Sequence, residues 1–535
     1  MATFAAIDIG SNSCRLKIAA VEIHHLKTLH EDREVTRLGE SVFQTGEISP
    51  EAMARTVQAL RRFQKAVQLH AADKVRVVAT SAMRDARNAA AFVEWVRSAT
   101  GWTVEVISGL EEGRLIHLGV VTHEAGAKGR CLLIDLGGGS CEVTLSDGGR
   151  IKEMVSLPLG AVRLQQEFLQ VDPPLKEDLG RLRQYIDREL KRAEKRLGMP
   201  RVSLVIATSG TAAALAAASG ALAAKIPVPK GIRKAATKSA GTAGAKRSAR
   251  YASREAGTTA VRWLADKMLK MDNAQRAAVA GIGPKRSEII VGGAMVYASL
   301  LERMGLKGFR YSALGLRDGM LAQMLAEVDL RASVHQRIET ERWAGVLEVC
   351  RRYGIDQKKA EPVRQHVAEL FDALARVHGL PVEYRLWVQA AAMMQDAGKF
   401  MNHQGHHRHT QYILANSEIF GFSPEQRLIV SVIARYMGKT RPEALGGSQD
   451  RLMRALPVTE QAHVTRAVVL LRLAVALNQD RASAVVGLKT AVYPKRVVLE
   501  LVPGRGGAAL EAWSLKKEAA YFREVLGRDL FVEVA

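Results

Sequence analysis

The chain has 535 residues, 47% of them hydrophobic and 25% charged, which indicates a soluble globular protein of three or four domains. It has no apolar run long enough to span a bilayer and begins without the basic and apolar segments of an export signal, so we expect a cytoplasmic protein and no membrane partner. Lys and Arg number 77 against 55 Asp and Glu, and this net charge of +22 favours anionic partners such as nucleic acid, anionic lipid or polyphosphate.

The first predicted element is a buried strand over Phe4–Ile9, followed by a turn of small residues and an alternating strand over Cys14–Ala19. The same order returns at Cys131–Leu136 and Cys141–Ser146, about one domain length later. The residues identical in the two copies are Ile7 and Ile134, Asp8 and Asp135, Gly10 and Gly137, Ser13 and Ser140, and Cys14 and Cys141. We therefore predict two related α/β lobes, each with a hairpin turn directly after an aspartate.

The two turns predict phosphate binding. A P-loop or dinucleotide-binding fingerprint places its glycines between a strand and a helix, whereas a second strand follows in both copies here. Glycines let several backbone N–H groups approach phosphate oxygens, so each turn is predicted to form an anion-binding nest. The predicted donors are Gly10, Ser11, Asn12 and Ser13 in the first turn and Gly137, Gly138, Gly139 and Ser140 in the second. Asp8 and Asp135 would repel phosphate unless a cation stood between them, and Mg²⁺ prefers such oxygen ligands.

Helices and strands alternate through the rest of the first half, as expected for α/β lobes. The predicted helices are Pro50–Ala72, Ala89–Ser98, Glu111–Val121, Lys176–Leu197, Gly210–Ser219 and Ile289–Leu301. The predicted strands are Lys74–Thr80, Thr103–Ile107, Met154–Leu157 and Leu204–Ala207. Two adjacent glycines, Gly292 and Gly293, lie inside the last helix at a cost of about 1 kcal/mol each. They predict close approach to a ligand or to another backbone.

Six segments occur in a characteristic order. They are residues 7–13 (IDIGSNS), 79–88 (ATSAMRDARN), 107–116 (ISGLEEGRLI), 134–140 (IDLGGGS), 207–211 (ATSGT) and 290–294 (IVGGA). Together they resemble the exopolyphosphatase / guanosine pentaphosphate phosphohydrolase (Ppx/GppA phosphatase) family of the actin-like superfamily, over residues 1 to about 325. The remainder is similar, more weakly, to the longer members. The resemblance implies two actin-like (ribonuclease H-like) lobes, an all-α HD-like bundle and a small α+β C-terminal module.

The resemblance also implies the roles of individual residues. Glu112 would activate the attacking water, and Asp8 and Asp135 would hold the metal. Phosphate contacts are implied for the two glycine turns and for Arg84, Ser209, Gly210, Thr211 and Arg286. A carboxylate within hydrogen-bond reach of a water is a suitable base for attack on a terminal phosphorus. From the residues alone, Glu111 or Glu112 in the first turn of a helix is also explained as a charge that the helix dipole favours.

The segment Lys225–Arg262 carries ten basic residues and one acidic residue among Ala, Gly, Ser and Thr. It lacks the large apolar residues of a core and is predicted to be a loosely ordered insertion. Two interpretations stay open, an electrostatic funnel for a long polyanion and a solvated linker. Residues 279–286 (VAGIGPKR) are similar to a DNA-binding helix-hairpin-helix turn. The family favours a helix start that bears Arg286, so nucleic acid is not the expected partner.

The second half is mostly helical from Leu330 to about Leu477 and resembles an HD-type bundle. An HD metal site needs a His, a His-Asp pair and a later Asp, but this chain offers His366, Gln395 with Asp396, and Asp480. Gln is a poor substitute for an imidazole ligand, so we predict a structural bundle with a degenerate site. The His-rich loop 402–409 (NHQGHHRH) has no Cys or carboxylate, which favours anion contact or simple loop polarity over a metal.

The predicted helices of this half are Val363–Val377, Tyr384–Gln395 and Thr465–Leu477. A helix over Ser514–Val525 between strands over Val497–Val502 and Leu530–Val534 predicts the small C-terminal module. The predicted domains are therefore 1–125 and 126–325 for the lobes, with the basic insertion near 225–256, then 326–483 and 484–535.

These observations predict an Mg²⁺-dependent exopolyphosphatase, which releases terminal orthophosphate from inorganic polyphosphate. The nearest alternative is hydrolysis of guanosine pentaphosphate (pppGpp) at the same site. An actin-like kinase or ATPase would need a purine pocket and an acceptor site, and a polyphosphate-binding regulator would not need Asp8, Glu112 and Asp135 intact. Because longer family members are often dimers, the resemblance also implies a homodimer.

Overall fold

The computed structural model describes residues 2–225, 254–329, 331–438, 440–442, 451–479 and 485–535. The chain divides into two compact units, Met1–Arg337 and Ile338–Ala535. Residues 226–253, most of the basic insertion, and Asp480 of the HD-like pattern lie outside the described residues. The finer domain bounds at residues 125, 325 and 483 stay predictions.

The first sheet has five strands, β1 (Thr3–Ile9), β2 (Cys14–Glu22), β3 (His25–Glu34), β4 (Lys74–Ala79) and β5 (Val104–Val106). β1, β2 and β3 form an antiparallel meander, whereas β4 pairs in parallel with β1 and β5 with β4, in the order β3-β2-β1-β4-β5. Because the carboxyl ends of β1 and β4 meet at one edge, Thr80 and the first glycine turn become neighbours, and the Thr80 N–H donates to Ile9 O at 3.3 Å.

The second sheet has six strands, β6 (Cys131–Leu136), β7 (Cys141–Asp147), β8 (Arg150–Leu157), β9 (Leu204–Thr208), β10 (Glu255–Gly257) and β11 (Gly308–Tyr311). Its order is β10-β11-β9-β6-β7-β8. β6, β7 and β8 form an antiparallel meander, β9 is parallel to β6, and β11 is parallel to β9. Apart from the short edge strand β10, this topology repeats that of the first sheet. The repeated sequence motif is therefore confirmed as a repeated hairpin.

The helices of the first unit are α1 (Val42–Thr45), α2 (Pro50–Leu69), α3 (Ser81–Asp85), α4 (Ala89–Thr100), α5 (Gly109–His123), α6 (Ala161–Phe168), α7 (Lys176–Leu197), α8 (Ser209–Lys225), α9 (Thr258–Met268), α10 (Asn273–Ala277), α11 (Ile290–Arg303) and α12 (Leu316–Val328). The six helices predicted in this unit are confirmed, with ends that differ by a few residues. β3 was not predicted because its sequence, HLKTLHEDRE, is polar and largely exposed, so it lacks the alternation of a half-buried strand.

Two helices, α5 and α12, pack with their backbones in contact. A Cβ on Gly319 would lie 1.8 Å from Leu115 O, and a Cβ on Gly119 would lie 2.7 Å from Gly319 N. The Arg114 guanidinium of α5 also donates to Gln323 Oε1 of α12 at 2.6 Å. The two helices are therefore held at a distance that only glycine permits.

The paired glycines of α11 do not interrupt the helix. A Cβ on Gly292 would lie 2.9 Å from Leu164 Cβ, and a Cβ on Gly293 would lie 2.7 Å from Thr211 Cγ2. The predicted close approach is present, and it is to side chains of α6 and α8. Helix packing therefore accounts for both glycines.

The helices after α12 are α13 (Ser333–Arg352), α14 (Gln357–Ala373), α15 (Ala375–His378), α16 (Tyr384–Met394), α17 (His406–Asn416), α18 (Pro424–Arg435), α19 (Arg451–Arg454), α20 (Val458–Ala476) and α21 (Ala509–Leu526). The second unit also contains a three-stranded sheet of β12 (Val485–Val492), β13 (Arg496–Pro503) and β14 (Asp529–Val534), in that order. The helical region and the two predicted C-terminal strands are present, whereas β12 was not predicted.

Two residues of the HD-like pattern have protein partners. His366 is buried, with Nδ1 3.2 Å from the Glu369 carboxylate, and Asp396 accepts a hydrogen bond from Lys399 Nζ at 2.6 Å. The Lys399 ammonium group therefore neutralises the Asp396 carboxylate, which an HD metal site would use as a ligand. The likeness to an HD bundle stays a prediction. Among the residues placed by the structure, no helix combines the length and the apolar character needed to cross a membrane.

Candidate functional site

A cleft of about 660 Å³ in the first unit lies where the two hairpin turns meet. Most of the predicted site residues line it, namely Asp8, Gly10, Ser11, Asn12, Ser13, Glu112, Asp135, Gly137, Gly138, Ser209, Gly210 and Arg286. Arg84 and Ser140 are hydrogen-bonded to one another beside the cleft, while Gly139 and Thr211 are packed against neighbouring residues. The structure therefore brings together residues that are up to 278 positions apart in the sequence (Asp8 to Arg286).

The two turns have the same internal geometry. The Gly10 N–H donates to Ser13 O at 3.2 Å, and the Gly137 N–H donates to Ser140 O at 2.9 Å. A Cβ on Gly138 would lie only 2.9 Å from Ser11 Cβ, so the two turns are in direct contact. The backbone donors of both turns thus line one continuous surface, as required for neighbouring phosphate groups.

Two carboxylates that line the cleft, Glu112 and Asp135, lie close to a third, the buried Glu142. Ligand oxygens of Glu112, Asp135 and Glu142 are all within 4.8 Å of one another. Asp135 and Glu142 are directly paired across β6 and β7, so their side chains share a face of the sheet. Glu112 reaches them from the first turn of α5, where the Ser108 hydroxyl caps the helix by accepting the Glu111 N–H at 3.1 Å.

Burial and mutual repulsion disfavour the charged forms of these acids. Burial raises the pKa of Glu112 to about 7, although the Arg84 guanidinium opposes the rise. Burial also raises the pKa of Glu142 well above its ordinary value, and the nearby charge of Glu112 adds to this rise. Burial raises the pKa of Asp135, which Thr208 opposes as a hydrogen-bond donor, while the charge of Asp8 adds to the rise. Three such acids are stable in their charged forms when a cation neutralises them.

The donor set fits a divalent cation. Hard oxygen ligands suit Mg²⁺ and Ca²⁺. Glu142 Oε2 is buried and, within the described part of the chain, accepts no hydrogen bond. Its other oxygen accepts from the Ser156 hydroxyl at 2.7 Å. Asp8, which was predicted to share the metal with Asp135, stands outside the group of three. Burial raises its pKa as well, against the positive charges of Arg15 and Arg317.

Arg84 contacts the acid group directly. Its guanidinium donates to Glu112 Oε2 at 3.0 Å, to Ile107 O at 2.9 Å and to the Ser140 hydroxyl at 3.2 Å. The side chain therefore joins Glu112 to the second turn. A contact between Arg84 and phosphate stays a prediction.

Four arginines line the cleft and form what we call the arginine wall, while Lys17, Glu31, Asp32 and Asp318 line the same cleft. Arg15 and Arg33 are paired across β2 and β3, Arg317 lies at the start of α12, and Arg286 lies just before α11. None of the four is part of an ion pair with a described carboxylate within 4 Å. Burial and the positive charges of Arg33 and Arg15 lower the pKa of Arg286 to about 10. Unpaired guanidinium groups that repel one another favour a bound anion.

A strained residue stands beside this wall. Ser209 has a φ of +71°, which is uncommon for a residue with a Cβ, and its hydroxyl donates to Leu136 O at 2.5 Å. A Cβ on the next residue, Gly210, would lie 1.5 Å from Nη2 at the end of the Arg286 side chain, which would have to move. The Arg286 guanidinium therefore packs closely against the start of α8. Backbone strain of this kind is concentrated at functional sites.

Several charged residues of the site were missed in the sequence. Arg15, Arg33 and Arg317 line the cleft and Glu142 lies next to Glu112 and Asp135, yet none of the four is part of a local motif. One signal was available, since Arg15 and Glu142 each follow the cysteine that begins the second strand of a repeat. Both positions share a face with the aspartate of the preceding strand.

Comparisons with known proteins give the family and the fold. The model of the Ppx/GppA phosphatase family matches residues 17–328, and that of Ppx/GppA phosphatase domain III matches residues 342–518. A solved exopolyphosphatase-like protein is 29% identical with a TM-score of 0.51, and the match covers 60% of this chain and 96% of that protein. A solved exopolyphosphatase from Cytophaga hutchinsonii shares the fold, at 24% identity and a TM-score of 0.52, over 61% of this chain and 98% of its own. An Aquifex aeolicus member of the Ppx/GppA family is 27% identical with a TM-score of 0.46, over 61% and 97% of the two chains.

Proposed function

Because the chain belongs to the Ppx/GppA phosphatase family, whose members are hydrolases, we propose that it is an exopolyphosphatase. It removes the terminal orthophosphate of inorganic polyphosphate. The observation that carries this proposal is that one site combines a wall of three close carboxylates, Glu112, Asp135 and Glu142, with the arginine wall. The first wall suits a cation and an attacking water, and the second suits a chain of phosphates.

Glu112 acts as the base in this proposal. It accepts a proton from a water molecule as the water oxygen bonds to the terminal phosphorus. The bond from that phosphorus to the bridging oxygen breaks, and the bridging oxygen leaves on the shortened chain. A pKa near 7 suits a group that must accept a proton at neutral pH. The hydrogen bond from Arg84 holds the carboxylate in place.

The two turns and the arginine wall position the chain. Backbone N–H groups of the turns and the side chains of Ser11, Ser13 and Ser140 would contact the terminal phosphates, while Arg15, Arg286 and Arg317 would contact phosphates further along. Such contacts neutralise the charge that develops on the phosphoryl oxygens. Positioning and neutralisation are the main needs of phosphoryl transfer.

Phosphatases of this family generally depend on divalent cations, and Mg²⁺ is the ion that we propose here. Asp135 and Glu142 would hold it beside Glu112, with Asp8 of β1 near Glu112 and Asp135. A bound Mg²⁺ supplies positive charge that polarises a phosphoryl oxygen. Without that charge, the acids of this wall would repel the substrate.

Hydrolysis of pppGpp at the same cleft is the second candidate, since its terminal phosphate would meet the same groups. A kinase or a regulator without turnover would not be expected to use Glu112 as a base. We also propose that the protein is a cytoplasmic homodimer, since the resemblance to the longer family members implies a dimer. Size-exclusion chromatography with light scattering would test the dimer.

The decisive experiment measures phosphate release with Mg²⁺ from long-chain polyphosphate and from pppGpp. Wild type should hydrolyse at least one substrate, and Glu112→Gln should lower kcat about 100-fold to 10,000-fold, the usual contribution of a general base. The matched control is Glu94→Gln, which removes an exposed carboxylate paired with Arg97 and should leave kcat unchanged. A Glu112→Gln enzyme as fast as wild type would reject the base, and no turnover of either substrate would reject the proposed function.

A further inference from the structure

The start of α6 binds the back of the second glycine turn. Gly137 O and Gly138 O accept the backbone N–H groups of the first two residues of α6, at 3.0 and 2.7 Å. The next carbonyl oxygen, Gly139 O, accepts a hydrogen bond from Nε of the Arg163 side chain at 2.8 Å. Three consecutive carbonyl groups of the turn therefore point towards one helix start, and a side chain supplies the third donor.

These contacts decide where the N–H groups of the turn point. In a trans peptide the C=O and the following N–H point in opposite directions, so the N–H groups of Gly138, Gly139 and Ser140 point away from α6. Gly137 and Gly138 line the cleft, whereas no described residue of α6 does. Within the part of the chain that the structure describes, none of the three N–H groups donates to a backbone carbonyl. They are therefore positioned to donate to an anion in the cleft.

The Arg163 guanidinium is itself held by helices that pack on the first sheet. Its Nη2 donates to the Asp85 carboxylate and lies 3.4 Å from Ser81 Oγ, and both partners belong to α3. Its Cζ lies 4.1 Å from the centroid of the Phe43 ring of α1. A further contact, of 3.4 Å, joins Nη1 to Glu167 within α6. Only 15% of the Arg163 side chain is exposed, so these partners have replaced most of its contacts with water.

Gly139 is enclosed by the same group of residues. A Cβ on Gly139 would lie 2.3 Å from Ser81 Oγ and 2.6 Å from Phe43 Cζ. The turn therefore packs directly against α1 and α3 at the point where Arg163 binds its carbonyl. A change in the position of the guanidinium would reach the peptide between Gly139 and Ser140 through a single hydrogen bond.

We propose that Arg163 is a positioning residue for the second turn. Its hydrogen bond fixes the direction of the peptide between Gly139 and Ser140, so that the Ser140 N–H donates to a phosphate oxygen of the substrate. Asp85 fixes the guanidinium in turn. This inference rests on the proposed function for the presence of phosphates in the cleft. It deepens that function by giving a part in substrate binding to two residues, Arg163 and Asp85, that do not line the cleft.

Calorimetric titration tests the role of Arg163 without turnover. The probe is inorganic tripolyphosphate, titrated with Mg²⁺ into full-length protein that carries Glu112→Gln. Adding Arg163→Ala should weaken binding about tenfold, the loss expected for one charge-assisted hydrogen bond. Arg163→Lys keeps the positive charge but lacks the planar fork of donors, so binding should stay at least about fivefold weaker. Arg183→Ala, which removes an exposed arginine of α7, is the matched control and should leave binding unchanged.

A second variant tests the anchor without changing any group that contacts the turn. Asp85→Ala should weaken the binding of tripolyphosphate about threefold, because the Arg163 hydrogen bond to Gly139 is loosened but not lost. The double variant Arg163→Ala/Asp85→Ala should bind as Arg163→Ala does, since both changes act on one peptide. If Arg163→Ala does not fold, Asp85→Ala and Arg163→Lys still decide the question.

Three outcomes would overturn the inference. The first is an Arg163→Lys protein that binds tripolyphosphate as tightly as its parent, because charge alone would then explain the arginine. The second is additive losses in the double variant, and the third is a parent protein that does not bind the probe. Because binding is measured without hydrolysis, absence of phosphate release by wild type would reject the proposed function and leave this result standing.

Discussion

The two sheets of the first unit place opposite charges at the same topological position. The row across β1, β2 and β3 is Asp8, Arg15 and Arg33, whereas the matching row across β6, β7 and β8 is Asp135, Glu142 and Ser156. Both rows begin with the repeated aspartate. Asp8, Arg15, Arg33 and Asp135 line the cleft, and Glu142 lies next to Asp135. The rows differ in charge from the second strand onward.

This difference shows what the repeated fold fixes and what it leaves free. The two sheets share the turn, the aspartate and the face on which the residue paired with that aspartate lies. The identity of one residue on the second strand, Arg15 or Glu142, then decides whether a wall suits an anion or a cation. A hydrolase of phosphate chains needs one wall of each kind, because the chain and the cation carry opposite charges.

The largest effect should come from removing the acid that distinguishes the second sheet. Glu142→Gln keeps the shape of the side chain and its acceptor for the Ser156 hydroxyl but removes one charge from the cation site. We expect the Mg²⁺ concentration for half-maximal rate to rise about 10-fold to 100-fold, as for loss of a residue that supports a metal. Phosphate release measured against Mg²⁺ checks this expectation. Glu153→Gln, an exposed acid of β8, is the control, and an unchanged Mg²⁺ dependence of Glu142→Gln would refute the assignment.

The next largest effect concerns the residue at the same position of the first sheet. Arg15→Ala should raise KM for polyphosphate about tenfold, the loss expected for one charge-assisted hydrogen bond. Arg15→Glu, which introduces the residue type of the second sheet, should raise KM further because it adds repulsion. Initial rates across substrate concentration measure both. Arg61→Ala, an exposed arginine of α2, should leave KM unaltered. Equal KM values for wild type and Arg15→Glu would contradict a role of Arg15 in binding the phosphate chain.

A smaller effect is expected on the contact that joins the two walls. Gly319→Ala places a methyl group 1.8 Å from Leu115 O, so α5 and α12 must separate, at a cost of about 1–3 kcal/mol in unfolding free energy. Gly180→Ala is the matched control, since a Cβ there meets no atom within 4 Å and the exchange should stabilise α7 by about 1 kcal/mol. Urea unfolding measures both changes. A Gly319→Ala protein as stable as wild type would contradict the close packing.

The smallest effect should be that of salt. Unpaired arginines that capture a polyanion are screened at high ionic strength, so KM for long polyphosphate should rise a few-fold between about 0.05 and 0.5 M salt. The rate constant kcat should change less, because the buried acid wall is screened less. Potassium chloride titrations at saturating Mg²⁺ give both values. A KM that does not depend on salt would count against capture by the arginine wall.

The fold could be predicted from the sequence wherever its determinants are local. The hairpin repeat gave both turns and both aspartates, and the helical spacing after Ser108 placed Glu112 on the first turn of α5. Glu142 could not be identified as a site residue, because one acid in an alternating strand is usually exposed. Its burial depends on tertiary packing of α5, where a Cβ at Gly113 would lie 2.5 Å from Met154 Sδ and 3.5 Å from Glu142 Cβ.

The arginine wall was unpredictable for a related reason. Arg15, Arg33, Arg286 and Arg317 come from four elements, and the first and last are separated by about 300 residues of sequence. No spacing rule connects them. Their common role depends on tertiary packing. The hydrogen bonds of Arg84 to Glu112, Ile107 O and Ser140 were likewise not predictable, because these partners lie 23 to 56 residues away in the sequence.

The backbone contact between α5 and α12 has a consequence for motion. Glu112 lies in the first turn of α5, and Arg317 is the second residue of α12. The proposed base and one proposed phosphate contact are therefore attached to a single pair of closely packed helices. Any opening or closing of the cleft must then carry both groups together. The distance between the helix positions of Glu112 and Arg317 should therefore stay constant while the surrounding loops move.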